Sequence, residues 1–417
     1  MNQETLKKAE ELIEYTDEKI CNHCLGRKFS DCVEGDGNED RGERIRASLN
    51  LEPYTISEEK CPICNNIFND IDTKVLDLVK EKIEFLKVEF DTFVVGSKLP
   101  KEITEKDAEI DEKFGFDVEI IKKEVNREIG KLLESNLIQN VDFEKEDLVV
   151  MVDFKRIFKK DIENPIRVRL QINPIFIEGR YRKLVRNIPQ TKWPCRKCKG
   201  RGCEECNFTG KQYPESVEEL LSEVVLKHTN GYEAKFHGAG REDIDVRMLG
   251  TGRPFVLEIK EPKIRKIDLN KIEEEVAISA KGKTEYLNLK FTERKRKADI
   301  KVSSPDTYKV YRALVKCEDD IKEEDLNELQ TLHIIQQRTP IRVSHRRADK
   351  IREKEVKNIE AKFIDSKTFE MIIKTEGGLY IKELISSDEG RSNPSVSEVL
   401  GTQAICAELD VIEVGIK

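Results

Sequence analysis

A glycine-rich segment, residues 238–255, concentrates the side chains of this chain that are best suited to chemistry. It holds three carboxylates and three arginines among four glycines: Glu242, Asp243, Asp245, Arg241, Arg247 and Arg253. Because glycine tolerates positive φ and close backbone approach, the segment predicts a shaped loop between two strands. Such a loop can keep one carboxylate ionised while arginines hold phosphate groups nearby. The alternative is a charged hairpin with a few surface ion pairs, which stabilise a fold little.

Cysteine spacing indicates bound metal. Eight of the eleven cysteines form four C-x-x-C pairs: Cys21/Cys24, Cys61/Cys64, Cys195/Cys198 and Cys203/Cys206. In an intracellular chain this spacing predicts zinc rather than disulfides. Two such turns present four thiolates to one tetrahedral ion, so we expect two structural zinc ions, with Cys32 or His23 as an alternative ligand at the first. Four thiolates leave no open coordination position, which argues against a catalytic metal.

Two strongly basic stretches lie within a chain whose net charge is −8. Residues 179–201 contain nine Lys or Arg and no acid, with Tyr181 and the only tryptophan, Trp193, among them. Residues 338–357 contain eight basic and three acidic residues. Phosphate contacts are local, so these stretches predict nucleic-acid-binding surfaces on an acidic protein. Solvated charged faces are the alternative for either stretch alone.

The composition is typical of a highly charged globular protein. Hydrophobic residues make up 38% and charged residues 37% of the 417 residues, which is enough to bury cores for two or three domains. No apolar run approaches the ~18 residues that a membrane helix needs, and the first residues do not resemble a signal peptide. We therefore expect a cytoplasmic protein with no membrane partner.

An α+β framework must position these residues. In the N-terminal part, helical and strand-like apolar patterns alternate, the helices at 6–15, 75–90 and 125–137 and the strands at 93–95 and 148–152. A capping box at Ser216 and Glu219 begins a helix, after which strand patterns dominate, including 286–291, 308–315 and 369–373. We expect a zinc-containing domain at 1–190, a four-cysteine connector at 191–214, and a domain with a long, mostly antiparallel mixed sheet at 215–417.

The sequence around Asp243 resembles one enzyme family. Residues 240–243, G-R-E-D, followed by 246–250, V-R-M-L-G, closely resemble the catalytic motif of archaeal and eukaryotic tRNA pseudouridine(54/55) synthases. In that family a single aspartate after G-R-x is indispensable, and the resemblance assigns this role to Asp243. Asp245 lies two residues further on and would share the same face of a strand, so it stays an alternative.

Two further motifs resemble the same family and imply two more catalytic residues. Residues 309–314, K-V-Y-R-A-L, match its K-x-Y-x-A-L strand, which implies that Tyr311 packs on the uracil and takes the C5 proton, with Tyr308 as the alternative. Residues 378–384, G-L-Y-I-K-E-L, match its G-x-Y-I-K/R motif, which implies that Lys382 pairs with the catalytic aspartate. An opposite charge within ~4–6 Å keeps a buried carboxylate ionised.

The resemblance also implies substrate contacts, mainly in the two basic stretches. Residues 179–186 resemble a basic segment that faces tRNA, and residues 337–347 resemble the thumb loop that grips it. Leu400 corresponds to the apolar residue that lines the uracil pocket. With the arginines beside Asp243, the predicted substrate-binding set is Arg180, Arg182, Lys183, Arg241, Arg247, Arg342, Arg346, Arg347 and Leu400.

The function that the resemblance implies is isomerisation of uridine to pseudouridine in the TΨC loop of tRNA, at position 54, 55 or both, by a THUMP-like RNA-binding module joined to a pseudouridine synthase domain. The reaction exchanges the N1–C1′ bond for a C5–C1′ bond after the uridine leaves its stack. One aspartate, attacking C1′ or removing a C2′ proton, suffices without an organic cofactor. A non-catalytic zinc-containing tRNA-binding protein or chaperone is the alternative. A tRNA thiolase or methyltransferase would need a glycine-rich phosphate or cofactor loop that the sequence lacks.

Overall fold

The chain divides into two units with separate hydrophobic cores, Met1–Asn173 and Pro174–Lys417. The computed structural model describes residues 1–56, 59–159, 162–302 and 307–415, apart from the side chains of Val302 and Arg346. Both units combine helices with a mixed sheet, which confirms the predicted α+β class. None of the helices in the described ranges is long and apolar enough to cross a membrane.

Helices surround a four-stranded sheet in the described part of the first unit. Its elements are α1 Gln3–Tyr15, α2 Asn22–Lys28, α3 Asn38–Ser48, α4 Ile67–Asp70, a π-helix Ile71–Val75, α5 Leu76–Leu86, β1 Thr92–Lys98, α6 Lys101–Phe114, α7 Ile121–Asn136, β2 Asn140–Val141, β3 Leu148–Asp153 and β4 Arg167–Ile172. The strand order is β2-β1-β3-β4, with β1 parallel to both neighbours and β3 antiparallel to β4. Leu148, Val150 and Val152 alternate toward the core, as the period-2 pattern of β3 predicts.

A ten-stranded sheet dominates the described part of the second unit. Its elements are β5 Ile175–Lys183, α8 Val217–Thr229, β6 Glu233–Gly238, β7 Arg247–Lys260, α9 Leu269–Ser279, β8 Thr284–Thr292, α10 Arg296–Val302, β9 Tyr308–Cys317, β10 Ile334–Arg338, β11 Ile351–Asp365, β12 Thr368–Glu376, α11 Ile381–Ser386, β13 Ser392–Asn393, α12 Val396–Leu400 and β14 Ala404–Val414, with short 3₁₀ helices at Glu204–Cys206, Glu323–Thr331 and Ile341–Arg346. The strand order is β13-β10-β11-β12-β9-β14-β7-β5-β8, and β6 pairs with β7. Neighbouring strands are antiparallel except for β7 and β14, which are parallel.

The first unit ends earlier than the boundary that the sequence predicted at residue 190. Strand β5 pairs with β7 on one side and with β8 on the other, so it belongs to the second sheet. The four-cysteine connector, residues 191–214, also lies in the second unit. The predicted helix start is confirmed, because the Ser216 hydroxyl accepts a hydrogen bond from the Glu219 N–H at the beginning of α8.

Three parts of the second unit position the segment that carries Asp243. Strand β6 ends at Gly238 and β7 begins at Arg247, so the residues between them form a loop at this end of the paired strands. Strands β9 and β14 run side by side and continue to β7 through the parallel β14–β7 contact. The 3₁₀ helix Ile341–Arg346 and helix α11 supply the remaining side chains near this loop.

Candidate active site and metal centres

A cavity of ≈ 110 Å³ lies where the loop 239–246 meets β9, β14 and α11. It brings together the three predicted catalytic residues, Asp243, Tyr311 and Lys382. Charged and apolar groups share its wall: Arg241, Glu242, Asp243, Val246, Arg253, Lys309, Tyr311, Arg342, Leu379, Tyr380, Ile381, Lys382, Leu409 and Val411. A small cavity lined by both charged and apolar side chains suits one flat base.

The Asp243 carboxylate faces two cations. Its Oδ2 atom lies 2.9 Å from Arg342 Nη1 and 3.8 Å from Lys382 Nζ, and 34% of the side chain is exposed. Arg342 also donates through Nε to Glu383, a buried residue of α11, so its guanidinium is fixed on both sides. The carboxylate is therefore held in place by a cation that has a second partner of its own.

Asp245 also contacts Lys382, and more closely. Lys382 Nζ donates to Asp245 Oδ1 at 2.9 Å and to Oδ2 at 2.7 Å. Burial opposes ionisation of Asp245, but the hydrogen bonds and charge of Lys382 hold its pKa below the ordinary value. The expected ion pair of Lys382 with Asp243 is present at 3.8 Å, but Lys382 lies between the two aspartates and is closer to Asp245. The closest cation to Asp243 is Arg342, whose segment the sequence assigned to RNA contacts.

Lys183 holds the backbone of the Asp243 loop and does not face solvent. Its side chain is fully buried, and Nζ donates to the carbonyl oxygens of Ile188 at 2.9 Å, Asp243 at 3.1 Å and Ile244 at 3.1 Å. Burial lowers the pKa of Lys183 to about 8. The prediction that Lys183 binds tRNA is wrong in this structure, because its position on β5 points inward. It is a positioning residue for the loop.

The residue before Asp243 is fixed by a buried hydrogen-bond network. Glu242 accepts from Arg253 Nε at 2.8 Å and from the Tyr181 hydroxyl at 2.8 Å. Gln190 donates to the same hydroxyl at 2.8 Å and to the carbonyl of Gly240 at 3.1 Å. Gly240 has φ +83°, which only glycine adopts without strain. The loop is thus held on both sides of Asp243. Because Glu242 is buried and all its hydrogen bonds are made within the protein, we interpret it as a structural residue of the loop and not as a catalytic one.

Tyr311 and two apolar residues form one wall of the cavity. Burial raises the pKa of Tyr311 to about 12, so its hydroxyl keeps its proton at neutral pH. Leu409 and Val411, which alternate with Asp410 along β14, line the cavity beside it. Leu400, the residue predicted for this position, lies on α12 and is not among the described residues that line the cavity.

The other predicted substrate-binding residues of the first basic stretch bind the protein's own backbone. Arg180 donates to the carbonyl oxygens of Thr251, Gly252 and Val414. Arg182 donates to the carbonyl of Gly250. These guanidinium groups hold the irregular part of β7 against its neighbours, so they are less available to phosphate than the sequence predicted. A basic run alone does not reveal which of its members bind backbone carbonyls of the protein itself.

The remaining predicted residues differ in their surroundings. Arg247 makes a two-pronged ion pair with Asp410, at 2.8 and 2.7 Å. Arg241 lies over the ring of Trp193, with 4.9 Å from its guanidinium carbon to the ring centre, and also lines the cavity. Arg347 is exposed. The side chain of Arg346 lies outside the described part of the structure.

Two protein-family models match parts of this chain. A family model described as Pus10, C-terminal, matches residues 176–415, which include the whole cavity. A second, described as Pus10 THUMP domain, archaeal, matches residues 77–153. The chain belongs to the Pus10 family.

Relatives within the Pus10 family match along nearly the whole chain. A protein of Methanothermobacter marburgensis named tRNA pseudouridine synthase Pus10 is 54% identical over 409 residues, covering 98% of each chain. One of Pyrococcus furiosus with the same name is 42% identical over 415 residues, covering 98% of this chain and 97% of its own. A solved structure described as a Cbf5-Nop10-Gar1 complex covers 48% of this chain and 45% of its own at 20% identity, with a TM-score of 0.30, which is too low to support an argument.

The first cysteine set lies in the N-terminal unit. It gathers four buried thiols whose sulfur atoms all lie within 4.8 Å of one another: Cys21, Cys24, Cys61 and Cys64. Cys21 Sγ and Cys64 Sγ are 3.5 Å apart, near the roughly 3.8 Å that tetrahedral zinc with ~2.3 Å bonds requires. The His23 ring instead stacks on Phe68 and contacts Glu124, and Cys32 is exposed. The set could hold one zinc ion without either alternative ligand.

The second cysteine set lies in the connector before α8. Its members are Cys195, Cys198, Cys203 and Cys206. Sulfur atoms of opposite pairs are 3.9 Å apart, and backbone N–H groups of Gly202 and Gly210 donate to Cys198 and Cys206 at 3.2 and 3.3 Å. Amide donors of this kind stabilise thiolates around a metal. This set could also hold one zinc ion.

Sequence analysis missed a buried ion network beside the first cysteine set. Arg27 and Lys28 on α2 are almost completely buried. Arg27 pairs with Glu124 and, at 2.7 Å, with Asp107, while Lys28 pairs with Asp107 at 2.6 Å and Asp111 at 2.5 Å. Buried charges are tolerated only with such partners. The network fastens α2 to α6 and α7, and two adjacent basic residues in sequence gave no signal of it.

Proposed function

We propose that this protein is a tRNA pseudouridine synthase that isomerises uridine in the TΨC loop, at position 54, 55 or both. The observation that carries the proposal is the Asp243 carboxylate, 2.9 Å from Arg342 and in one cavity with Tyr311. The names of the family relatives support the same activity. THUMP-family sequence in the first unit supports RNA as the partner.

The chemistry assigns a role to each wall of the cavity. Asp243 acts at the sugar, attacking C1′ or removing a C2′ proton, and the ion pair with Arg342 orients its carboxylate for either role. Leu409 and Val411 provide an apolar surface for the detached uracil, which must be retained until C5 joins C1′. The protonated Tyr311 packs against the base, and its raised pKa of about 12 favours packing over the role of proton acceptor.

Zinc has a structural role in this proposal. Each four-cysteine set holds one zinc ion, which contributes folding free energy and leaves no coordination position for substrate. Cys195–Cys206 follow Trp193, on which Arg241 of the catalytic loop packs. The second ion therefore supports one edge of the cavity through Trp193. The isomerisation itself uses no organic cofactor.

The deciding experiment incubates the purified chain with an unmodified tRNA transcript and maps pseudouridine. We expect pseudouridine in the TΨC loop, its loss in Asp243→Asn, and tRNA affinity within a few fold of wild type, because one carboxylate makes few phosphate contacts. Asp245→Asn is the matched control and should keep substantial activity. Binding without isomerisation by the wild type would favour the non-catalytic alternative. An active Asp243→Asn with an inactive Asp245→Asn would reverse the assignment of the two aspartates.

A further inference from the structure

Lys309 is a buried cation of the cavity that the proposed chemistry has not used. It lies on β9, two residues before Tyr311, and only 9% of its surface is exposed. It lines the cavity together with Asp243 and Tyr311. Its ammonium forms neither a hydrogen bond nor a salt bridge within the part of the chain that the structure describes. An unpaired buried charge lowers stability, so its presence at a cavity wall indicates an anionic ligand group.

The charged side chains near Lys309 do not neutralise its positive charge. Glu242 and Arg253 are near it, but they pair with each other at 2.8 Å. Lys354 is also near, and it pairs with Glu376 at 2.8 Å. Burial, followed by the charge of Arg253, lowers the pKa of Lys309 to about 8, against the opposing effect of Glu242. Lys309 therefore carries its proton at neutral pH and adds one net positive charge to the cavity.

The proposed reaction creates an anion at this place. When the N1–C1′ bond breaks, its electron pair stays on the uracil, and the charge spreads from N1 to the carbonyl oxygens O2 and O4. The sugar is balanced by a bond from Asp243 to C1′ or by loss of a C2′ proton to Asp243. After the base turns, C5 bonds to C1′ while the Asp243–C1′ bond breaks or Asp243 returns the proton to C2′. The proton on C5 then passes to water, and N1 takes up a proton from water, so the product is an isomer of the substrate.

We propose that Lys309 is a catalytic residue that binds a carbonyl oxygen of the detached uracil and stabilises its negative charge. This inference rests on the proposed function. A cation that already lies where negative charge develops is effective because it needs little rearrangement during the step. The same contact retains the detached uracil in the cavity while it turns, because the uracil anion would lose its attraction to Lys309 if it left.

The first test compares two lysines of one strand. Lys309→Met removes the cavity charge with little change in side-chain length, whereas Lys316→Met removes the charge of an exposed lysine on the same strand. At saturating tRNA, the single-turnover rate of Lys309→Met should fall about 100-fold, as for loss of one oriented donor, with tRNA affinity within about twofold. Lys316→Met should match wild type. A Lys309→Met rate within threefold of wild type would overturn the proposal.

The second test separates charge stabilisation from packing. Fluorine at C5 withdraws electron density and makes the uracil anion more stable by itself. In a tRNA assembled with 5-fluorouridine at the modified position, cleavage of the N1–C1′ bond should depend less on Lys309. The rate defect of Lys309→Met on this substrate is measured as the loss of 5-fluorouridine in nucleoside digests. It should be at least fivefold smaller than the rate defect of the same variant on uridine. Equal defects with both substrates would show a structural role and contradict the proposal.

A third measurement needs no variant. The wild-type single-turnover rate on uridine should fall as pH rises past about 8, where Lys309 loses its proton, and the fall should be smaller on 5-fluorouridine. Lys183 titrates in the same range, but it touches only backbone, so its effect would be equal on both substrates. Parallel pH profiles would count against Lys309. A wild type without any pseudouridine product would instead refute the proposed function itself.

Discussion

Two buried lysines of the catalytic unit illustrate how one residue type serves support and chemistry. The Lys183 ammonium donates to three carbonyl oxygens, and the Lys309 ammonium lines the cavity without a partner among the described residues. Burial lowers the pKa of both to about 8. Their contributions to stability should differ in sign, because only Lys183 leaves unsatisfied carbonyls when it is removed.

The charge of Lys309 should destabilise the folded state. Its pKa falls from 10.5 unfolded to about 8 folded, so charged Lys309 costs on the order of 3 kcal/mol at pH 7. Between pH 8 and 10.5 the unfolded chain binds more protons, so this cost is full below pH 8 and disappears as pH rises to 10.5. Lys309→Met should therefore melt at a higher temperature than wild type at pH 7, with the gain lost near pH 10. A lower melting temperature at pH 7 would contradict the unpaired state of Lys309.

Single residues show which parts of the candidate site could be predicted from the sequence. The motifs identified Asp243, Tyr311 and Lys382, and the structure places all three in one cavity. The closest cation to Asp243 was missed, since Arg342 comes from a segment that resembled an RNA grip. Leu400 was chosen for its place before a glycine, whereas Leu409 lines the cavity. Which apolar residue of adjacent elements faces a cavity depends on tertiary packing, which the spacing along one chain does not encode.

Strand β5 supports the loop that carries Asp243. Tyr181 and Lys183 lie two residues apart, so both point to the same side of the strand. One reaches Glu242 and the other the carbonyl of Asp243. The rigidity of the loop thus comes from a neighbouring strand, and changes in β5 should alter catalysis without altering the substrate surface.

Lys183→Met should lower both stability and rate. Three backbone carbonyls lose their donor, which should reduce stability by roughly 2–4 kcal/mol, and the Asp243 loop should lose its fixed position. The single-turnover rate at saturating tRNA should fall, while tRNA affinity and its salt dependence stay unchanged because Lys183 is fully buried. Lys192→Met, an exposed lysine of the same basic stretch, serves as the control and should leave the melting temperature unchanged. A weaker salt dependence in Lys183→Met would indicate a phosphate contact after all.

The segment around the 3₁₀ helix Ile341–Arg346 should combine two separable roles. Arg342 pairs with Asp243, whereas Arg347 is exposed. Arg342→Ala should reduce the single-turnover rate more than the affinity. Arg347→Ala should weaken tRNA binding and reduce the log–log salt slope by roughly 0.7, the value for one phosphate contact in single-stranded RNA. Equal slopes for Arg347→Ala and the exposed control Lys316→Ala would mean that RNA binds elsewhere.

The molecule as a whole joins two units that each contain one four-cysteine set. Sequence reasoning predicted both sets and the α+β class because the spacing of cysteines and the local apolar periods carry that information. It placed the first boundary too late, since β5 pairs with β7 and β8, which follow it by many residues. Strand pairing over such a distance leaves no local mark in the sequence of β5.

Metal analysis should find about two zinc ions per chain, one for each closed set of thiolates. Cys21→Ser and Cys203→Ser should each lose about one ion and lower the melting temperature, because a broken set no longer contributes its binding free energy to folding. Cys32→Ser changes an exposed cysteine outside both sets and should keep both ions. Elemental analysis and thermal melting test the three variants together, and fewer than one ion in the wild type would contradict both assignments.

The place of β5 in the sheet has a consequence for synthesis of the chain. During translation β5 leaves the ribosome before either of its neighbours, and β8 is complete only at Thr292. Both edges of β5 stay open until β7 is complete at Lys260, and the edge that pairs with β8 stays open until Thr292. Open strand edges pair readily with other chains. The newly made protein must therefore keep this segment apart from other nascent chains for more than a hundred residues of synthesis, and an expressed fragment that starts after β5 would carry the same open edges on β7 and β8 permanently.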